Sequence, residues 1–260
     1  MPTLPAAGIV LVDKPEGWTS HDVVAFLRPI LGTRRVGHAG TLDPLASGLL
    51  VVLYGHATRL ATELHLARKT YLADVVLGAE TTTDDREGAA SARAEVPELD
   101  DGVVLGILAR FVGRQLQVPP AYSAIHVGGR RAYARSRRGE TVLLGPRPIE
   151  IDSLELLARE RGRIRLRVVC SSGTYVRALA RDLGRALGTR AHLGGLRRLA
   201  IGPFVVDEAV TPDQLRGSTA TELADRVLPE DAARRLLAGP EAETAPSRPT
   251  ERDDQGKGAT

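Results

Sequence analysis

Chemistry in this chain starts from one carboxylate in a glycine-rich loop, Asp43 in RRVGHAGTLDPLASGLL (Arg34 to Leu50). Gly37, Gly40 and Gly48 allow tight turns and close approach of the backbone to a ligand. Pro44 biases Asp43 away from the α region and so holds its carboxylate on fixed, non-helical backbone, where it can serve as nucleophile or base. The same Asp-Pro pair also has the form of a helix N-cap followed by proline at the first helical position, and spacing alone favours that reading. No Walker A, GxGxxG, HExxH or GxSxG pattern is present. The six histidines do not fall at metal-ligand spacing, and the single Cys170 excludes an internal disulfide or a multi-cysteine zinc site. Redox, metal-dependent and nucleotide-dependent chemistry therefore find no support.

Several elements must position this loop. The apolar run GIVLVD (8–13) predicts a buried strand, and Ser20 offers an N-cap for a helix over HDVVAFLRPIL that Gly32 ends. Residues 33–48 read as a loop and 48–54 as a second buried strand. A helix is expected over 57–67, a strand over 70–77, a long polar loop over 79–98 and a helix over 100–112. Beyond these, the pattern predicts a strand at 122–127 and an arginine-rich helix at 130–138. Strands follow at 147–157 and 163–170; the second alternates Ile164, Leu166 and Val168 with Arg165, Arg167 and Val169. A helix over 175–187, a strand over 200–206 and a helix over 220–238 complete an α+β chain without repeats.

Bulk properties set the frame. The 260 residues can bury a substantial core, and no apolar run reaches the roughly 18 residues a membrane helix needs. No secretory signal is recognisable, so a cytoplasmic protein is expected. The formal charge of +3 is unevenly spread. Residues 110–198 hold 19 Lys+Arg against 6 Asp+Glu, whereas 1–109 hold 9 against 14 and 199–260 hold 7 against 12. A basic middle segment suits a polyanion such as nucleic acid, although an arginine-rich solvated face has the same composition. The stretch 239–260 lacks periodicity and apolar content and is expected to be disordered.

Five blocks, in order, carry a resemblance. DKPEGWTSHDVV with GHAGTLDPLASGLL, RKTYLADVVLG, PPAYSAIHVGGRRAY, CSSGTYVRALARDLG and HLGGLRR together resemble the tRNA pseudouridine synthase B (TruB-type) family over roughly residues 8–205. The resemblance implies an α+β pseudouridine synthase fold, with a central, mostly antiparallel mixed sheet flanked by helices and an RNA-binding cleft. It implies isomerisation of uridine 55 in the T-loop of tRNA to pseudouridine, without a cofactor. Asp43 matches the family's nucleophile, for which attack at uracil C6 and at ribose C1′ are both open. Such a uridine must leave its stack to be reached. Tyr71 matches the aromatic residue against the flipped base, and Arg177 the arginine that pairs with the aspartate. Tyr175 and Leu196 match positions lining the uracil pocket, and His38 the histidine that takes the vacated space. Lys14 and Pro15 are expected to buttress the loop.

Arg130, Arg131, Arg135, Arg137 and Arg138 are candidates for phosphate contacts. His126 stands where the family usually has lysine, which bears on a lysine contact and not on the nucleophile. The resemblance implies tRNA, through its T-arm and T-loop, as partner, with no membrane and no guide RNA; a monomer is expected. The expected organisation is a catalytic domain over 1–210, a short helical extension over 211–238 and the polar tail. A complete C-terminal RNA-binding domain of the PUA type does not fit after Val210. The competing reading is a non-catalytic tRNA-folding factor using the same cleft.

Overall fold

The computed structural model describes residues 4–123, 126–127, 130–131 and 144–238. The strands are β1 (Gly8–Lys14), β2 (Val36–Ala39), β3 (Ala46–Tyr54), β4 (Lys69–Leu77), β5 (Ala79–Thr81), β6 (Ala90–Arg93) and β7 (Gly113–Gln117). They continue with β8 (His126–Val127), β9 (Arg130–Arg131), β10 (Arg147–Glu160), β11 (Arg163–Cys170), β12 (Ala191–Ile201), β13 (Phe204–Val205) and β14 (Val227–Pro229). The helices are α1 (Ser20–Leu31), α2 (Ala61–Leu66), α3 (Asp101–Ala109), α4 (Val176–Ala186), α5 (Pro212–Leu215), α6 (Ala220–Ala224) and α7 (Glu230–Ala238). Ten strands form one sheet with the path β14-β1-β3-β12-β4-β11-β10-β7, and β2 and β13 pair onto β3 and β12. Within it only β3 and β12 run parallel, so the expected mostly antiparallel mixed sheet flanked by helices is what the chain adopts.

Two central strands of the sheet are built differently. β3 is buried at nearly every position because α1 packs over one face while α2 and the 3-10 turn Gly55–Leu60 cover the other. Its continuous apolar run is what a strand covered on both faces requires. β4 instead alternates strictly, with Tyr71, Ala73, Val75 and Leu77 facing α3 and α4. That second core also takes in Leu42 and Leu45, so the loop carrying Asp43 is fastened by its own apolar neighbours.

Local chemistry explains where the sequence pattern fell short. Thr19, not Ser20, caps α1 through a reciprocal capping box with Asp22. Ser20 is freed to bind the loop, accepting from the Leu42 amide at 2.8 Å and donating to the Leu42 carbonyl at 3.2 Å. The segment 33–48 contains β2, the polar stretch 79–98 contains the β5–β6 hairpin, and β7 was not anticipated. The strand expected at 200–206 is instead β12 from Ala191, folded back onto β13. The helix expected over 220–238 is broken by β14, which pairs with β1, so the C-terminal segment completes the edge of the sheet. Arg130 and Arg131 lie in a strand rather than a helix. The rest of that stretch, including Arg135, Arg137 and Arg138, lies outside the described residues, as does the tail 239–260.

Candidate active site

Asp43 does not cap a helix. Its carbonyl accepts from the Ala46 amide at 3.0 Å, closing a turn with Pro44 and Leu45 at its centre that leads directly into β3. Proline fixes the turn and the helix-cap geometry never forms, so among the described residues no backbone amide caps the carboxylate. The turn is held from behind: the Gly17 amide donates to the Pro44 carbonyl at 2.8 Å. The wholly buried Lys14 donates to the carbonyls of Pro15 (2.9 Å), Trp18 (2.6 Å) and Pro44 (3.5 Å). Burial pulls the Lys14 pKa down to about 8, against the opposing pull of the Asp43 charge.

The carboxylate faces a cavity of about 390 Å³ whose wall includes Asp43, Tyr71, Tyr175, Arg177, Leu196 and Arg198. Arg177 projects from the first turn of α4, and its Nε lies 2.9 Å from Asp43 Oδ2 without the alignment of a hydrogen bond. Its two terminal nitrogens donate to the Thr83 and Tyr122 carbonyls at 3.0 Å each, and one lies 3.4 Å from the buried Asp85. The guanidinium is thus fixed by neighbours other than Asp43. Only 8% of the Arg177 side chain is exposed against 40% of Asp43, so the pair opens toward the cavity.

Tyr71 rises from β4 and Leu196 from β12 on the same cavity wall. Tyr175 precedes α4, where Gln117 of β7 clamps its backbone, accepting from its amide at 2.9 Å and donating to its carbonyl at 3.1 Å. Burial pushes both phenols above the ordinary tyrosine range, so both are neutral donors at neutral pH. The structure therefore brings five of the six expected residues together. His38 stands apart, half-buried on β2 and off the cavity wall, and its Nδ1 has no partner among the described residues. Burial and the Arg198 charge keep its imidazole below the usual histidine range.

Several participants escaped the sequence reading. Arg198 is almost wholly buried, a place arginine rarely occupies, and nothing but its position in HLGGLRR pointed to it. Lys69 lines the cavity and donates to carbonyls at the end of α2, including Ala67 at 2.6 Å and Leu64 at 3.3 Å. Its pKa is pulled to about 8 by burial first and by Arg198 second. Asp84 and Asp85 sit in TTTDDREG, a stretch whose polarity reads as solvated loop, yet both are buried against α4. Among the described residues no cluster of three metal-ligating side chains occurs, and no helix is long and apolar enough to cross a membrane.

An aspartate aimed into a cavity between two phenols, with a fixed arginine beside it, defines a site for covalent or acid–base work on a flat ring. The family comparisons agree with that class. Residues 28–176 match the model of the TruB family pseudouridylate synthase N-terminal domain, and 177–238 that of the tRNA pseudouridylate synthase B C-terminal domain. The chain belongs to the TruB family of pseudouridylate synthases. It is 48% identical over 243 residues to tRNA pseudouridine synthase B of Thermobifida fusca, covering 90% of this chain and 83% of that one. To the protein of the same name from Nocardia farcinica it is 52% identical over 215 residues, covering 81% and 70%. Among solved structures it is similar to a chain of a Cbf5-Nop10-Gar1 complex, with a TM-score of 0.66 at 29% identity. That match covers 87% of this chain but only 61% of the other, so the chain spans about three-fifths of that solved relative.

Proposed function

We propose that this chain isomerises uridine 55 in the T-loop of tRNA to pseudouridine, with Asp43 as nucleophile. The observation that carries the reading is Asp43 beside a guanidinium that other groups already hold, facing Tyr71, Tyr175 and Leu196. Each matched residue has a use there. A uridine flipped into the cavity loses stacking worth a few kcal/mol, and Tyr71 offers an aromatic face worth about 1–3 kcal/mol in return. Tyr175 and Leu196 shape the slot for uracil. Arg177 keeps the carboxylate aimed while no ligand is present. His38, outside the cavity, fills the space that the nucleotide leaves.

No group is oxidised or transferred away, since the glycosidic bond to nitrogen is replaced by one to carbon, so no cofactor is called for. The substrate is tRNA itself, approached through its T-arm, and the chain acts as a monomer in the cytoplasm without a guide RNA. Residues 1–210 form the catalytic unit and 211–238 its extension.

Tritium release from an unmodified tRNA transcript labelled at uridine C5, given no other RNA or protein, tests the reading. Wild type is expected to release label from the T-loop uridine and Asp43→Asn to release none. A silent wild type would refute the activity, and an active Asp43→Asn would refute the nucleophile. A transcript unmodified but refolded by the protein would mark the non-catalytic folding factor.

A further inference from the structure

Arg198 is the largest side chain that is fully buried, and burying a guanidinium is expensive unless its donors are used. Its partners are neutral. Nε donates to the Leu49 carbonyl at 2.8 Å, and a terminal nitrogen donates to the Gly40 carbonyl at 3.0 Å. No carboxylate adds to its stabilisation among the described residues. Gly40 lies three residues before Asp43, and Leu49 lies in the strand that follows it. Tyr71 is the direct cross-strand neighbour of Arg198 in the β12–β4 pair.

One guanidinium therefore ties both flanks of the nucleophile turn together directly beside Tyr71. The backbone beneath is equally constrained. Arg198 pairs in parallel with Gly48, whose φ is 99°, and a Cβ there would lie 2.7 Å from the Arg198 nitrogen. A buried charge bound only to neutral acceptors gains less than an apolar side chain of equal volume would, so position rather than stability accounts for it.

We propose that Arg198 is a positioning residue of the isomerisation, holding the Asp43 turn in register with its cross-strand neighbour Tyr71 so that both meet the same uridine. This rests on the synthase reading above. Lysine keeps the charge but has no planar fork to span the two carbonyls.

The test is steady-state tritium release by Arg198→Lys and Arg198→Gln, each alone and combined with Tyr71→Phe. Arg198→Lys is expected to leave KM for tRNA within about threefold and to lower kcat about 100-fold, the cost of a misplaced reacting group. In the Tyr71→Phe background the same change is expected to cost about tenfold or less, because part of its effect passes through Tyr71. Arg198→Gln should lose at least as much as lysine and show the same dependence on Tyr71. Equal losses in both backgrounds, or a rise in KM at unchanged kcat, would overturn the proposal. If neither variant folds while Tyr71→Phe does, Arg198 is a structural residue only and the proposal fails. An inactive wild type would instead overturn the synthase reading on which this role depends.

Discussion

Three arginines on one face of α4, spaced four residues apart, meet acidic partners in three different degrees of contact with water. Arg177 reaches Asp43, which is 40% exposed; Arg181 reaches Asp84, with both side chains at 11%; Arg185, half exposed, reaches Glu80. The charges are alike, and access to water separates their work. The first pair presents its carboxylate to the cavity. The second is sealed: burial pushes Asp84 above the ordinary aspartate range in spite of Arg181. In the third, hydrogen bonds from Arg185, and then from Arg190, hold Glu80 below the usual glutamate range. One helix thus carries an ion pair open to the cavity and, a turn further on, one closed to water.

Four experiments break or sharpen this contrast. Arg177→Lys removes the fork beside Asp43 while keeping the charge; kcat should fall about 100-fold, with thermal unfolding little changed. A variant that loses stability instead would make the first pair structural. Arg181→Met leaves Asp84 buried without its partner, and urea unfolding should show a loss of about 3–5 kcal/mol. Activity per folded molecule should survive. Arg185→Met removes a half-exposed partner from the buried Glu80, which keeps Arg190, and should cost no more than about 1 kcal/mol in the same assay.

The smallest effect is in pH. The folded chain binds a proton on Glu80 less readily than the unfolded chain, so stability falls as the pH drops through and below 4.5. Asp84 behaves oppositely, its raised pKa favouring the folded chain as the pH falls toward 3.8. The stability advantage of wild type over Glu80→Gln should therefore shrink from pH 7 to 4. Its advantage over Asp84→Asn should grow; Asn tolerates the left-handed φ of 60° at that position. Parallel slopes in the two comparisons would show that the pairs share one environment.

What the sequence made legible follows the same division. β3 and β4 read clearly because one is covered on both faces and the other on one, giving a continuous and an alternating pattern. α4 read clearly from its amphipathic spacing. β12 did not, because its buried positions include Arg198, and Gly194 and Gly195 press against β4 where side chains would not fit. The acidic pair Asp84 and Asp85 was hidden for a related reason: polar residues announce solvent unless their partners, nearly a hundred positions away on α4, are known. Asp43 itself was ambiguous from spacing, and only its turn geometry separates it from a helix cap. Composition located a basic segment, and three of its arginines, Arg135, Arg137 and Arg138, lie outside the described residues.

The pairing of β14 with β1 has a consequence for how the chain is made. Val10 is matched to Val227 at the edge of the sheet, so the outer partner of β1 is made more than two hundred residues after it. Until residues 227–229 emerge, the outer edge of β1 keeps open amides and carbonyls that any other strand can take. Vectorial synthesis thus leaves this edge open until the last strand of the sheet is made, and a ribosome that stalls before that point would hold a nascent chain with one side of β1 unpaired.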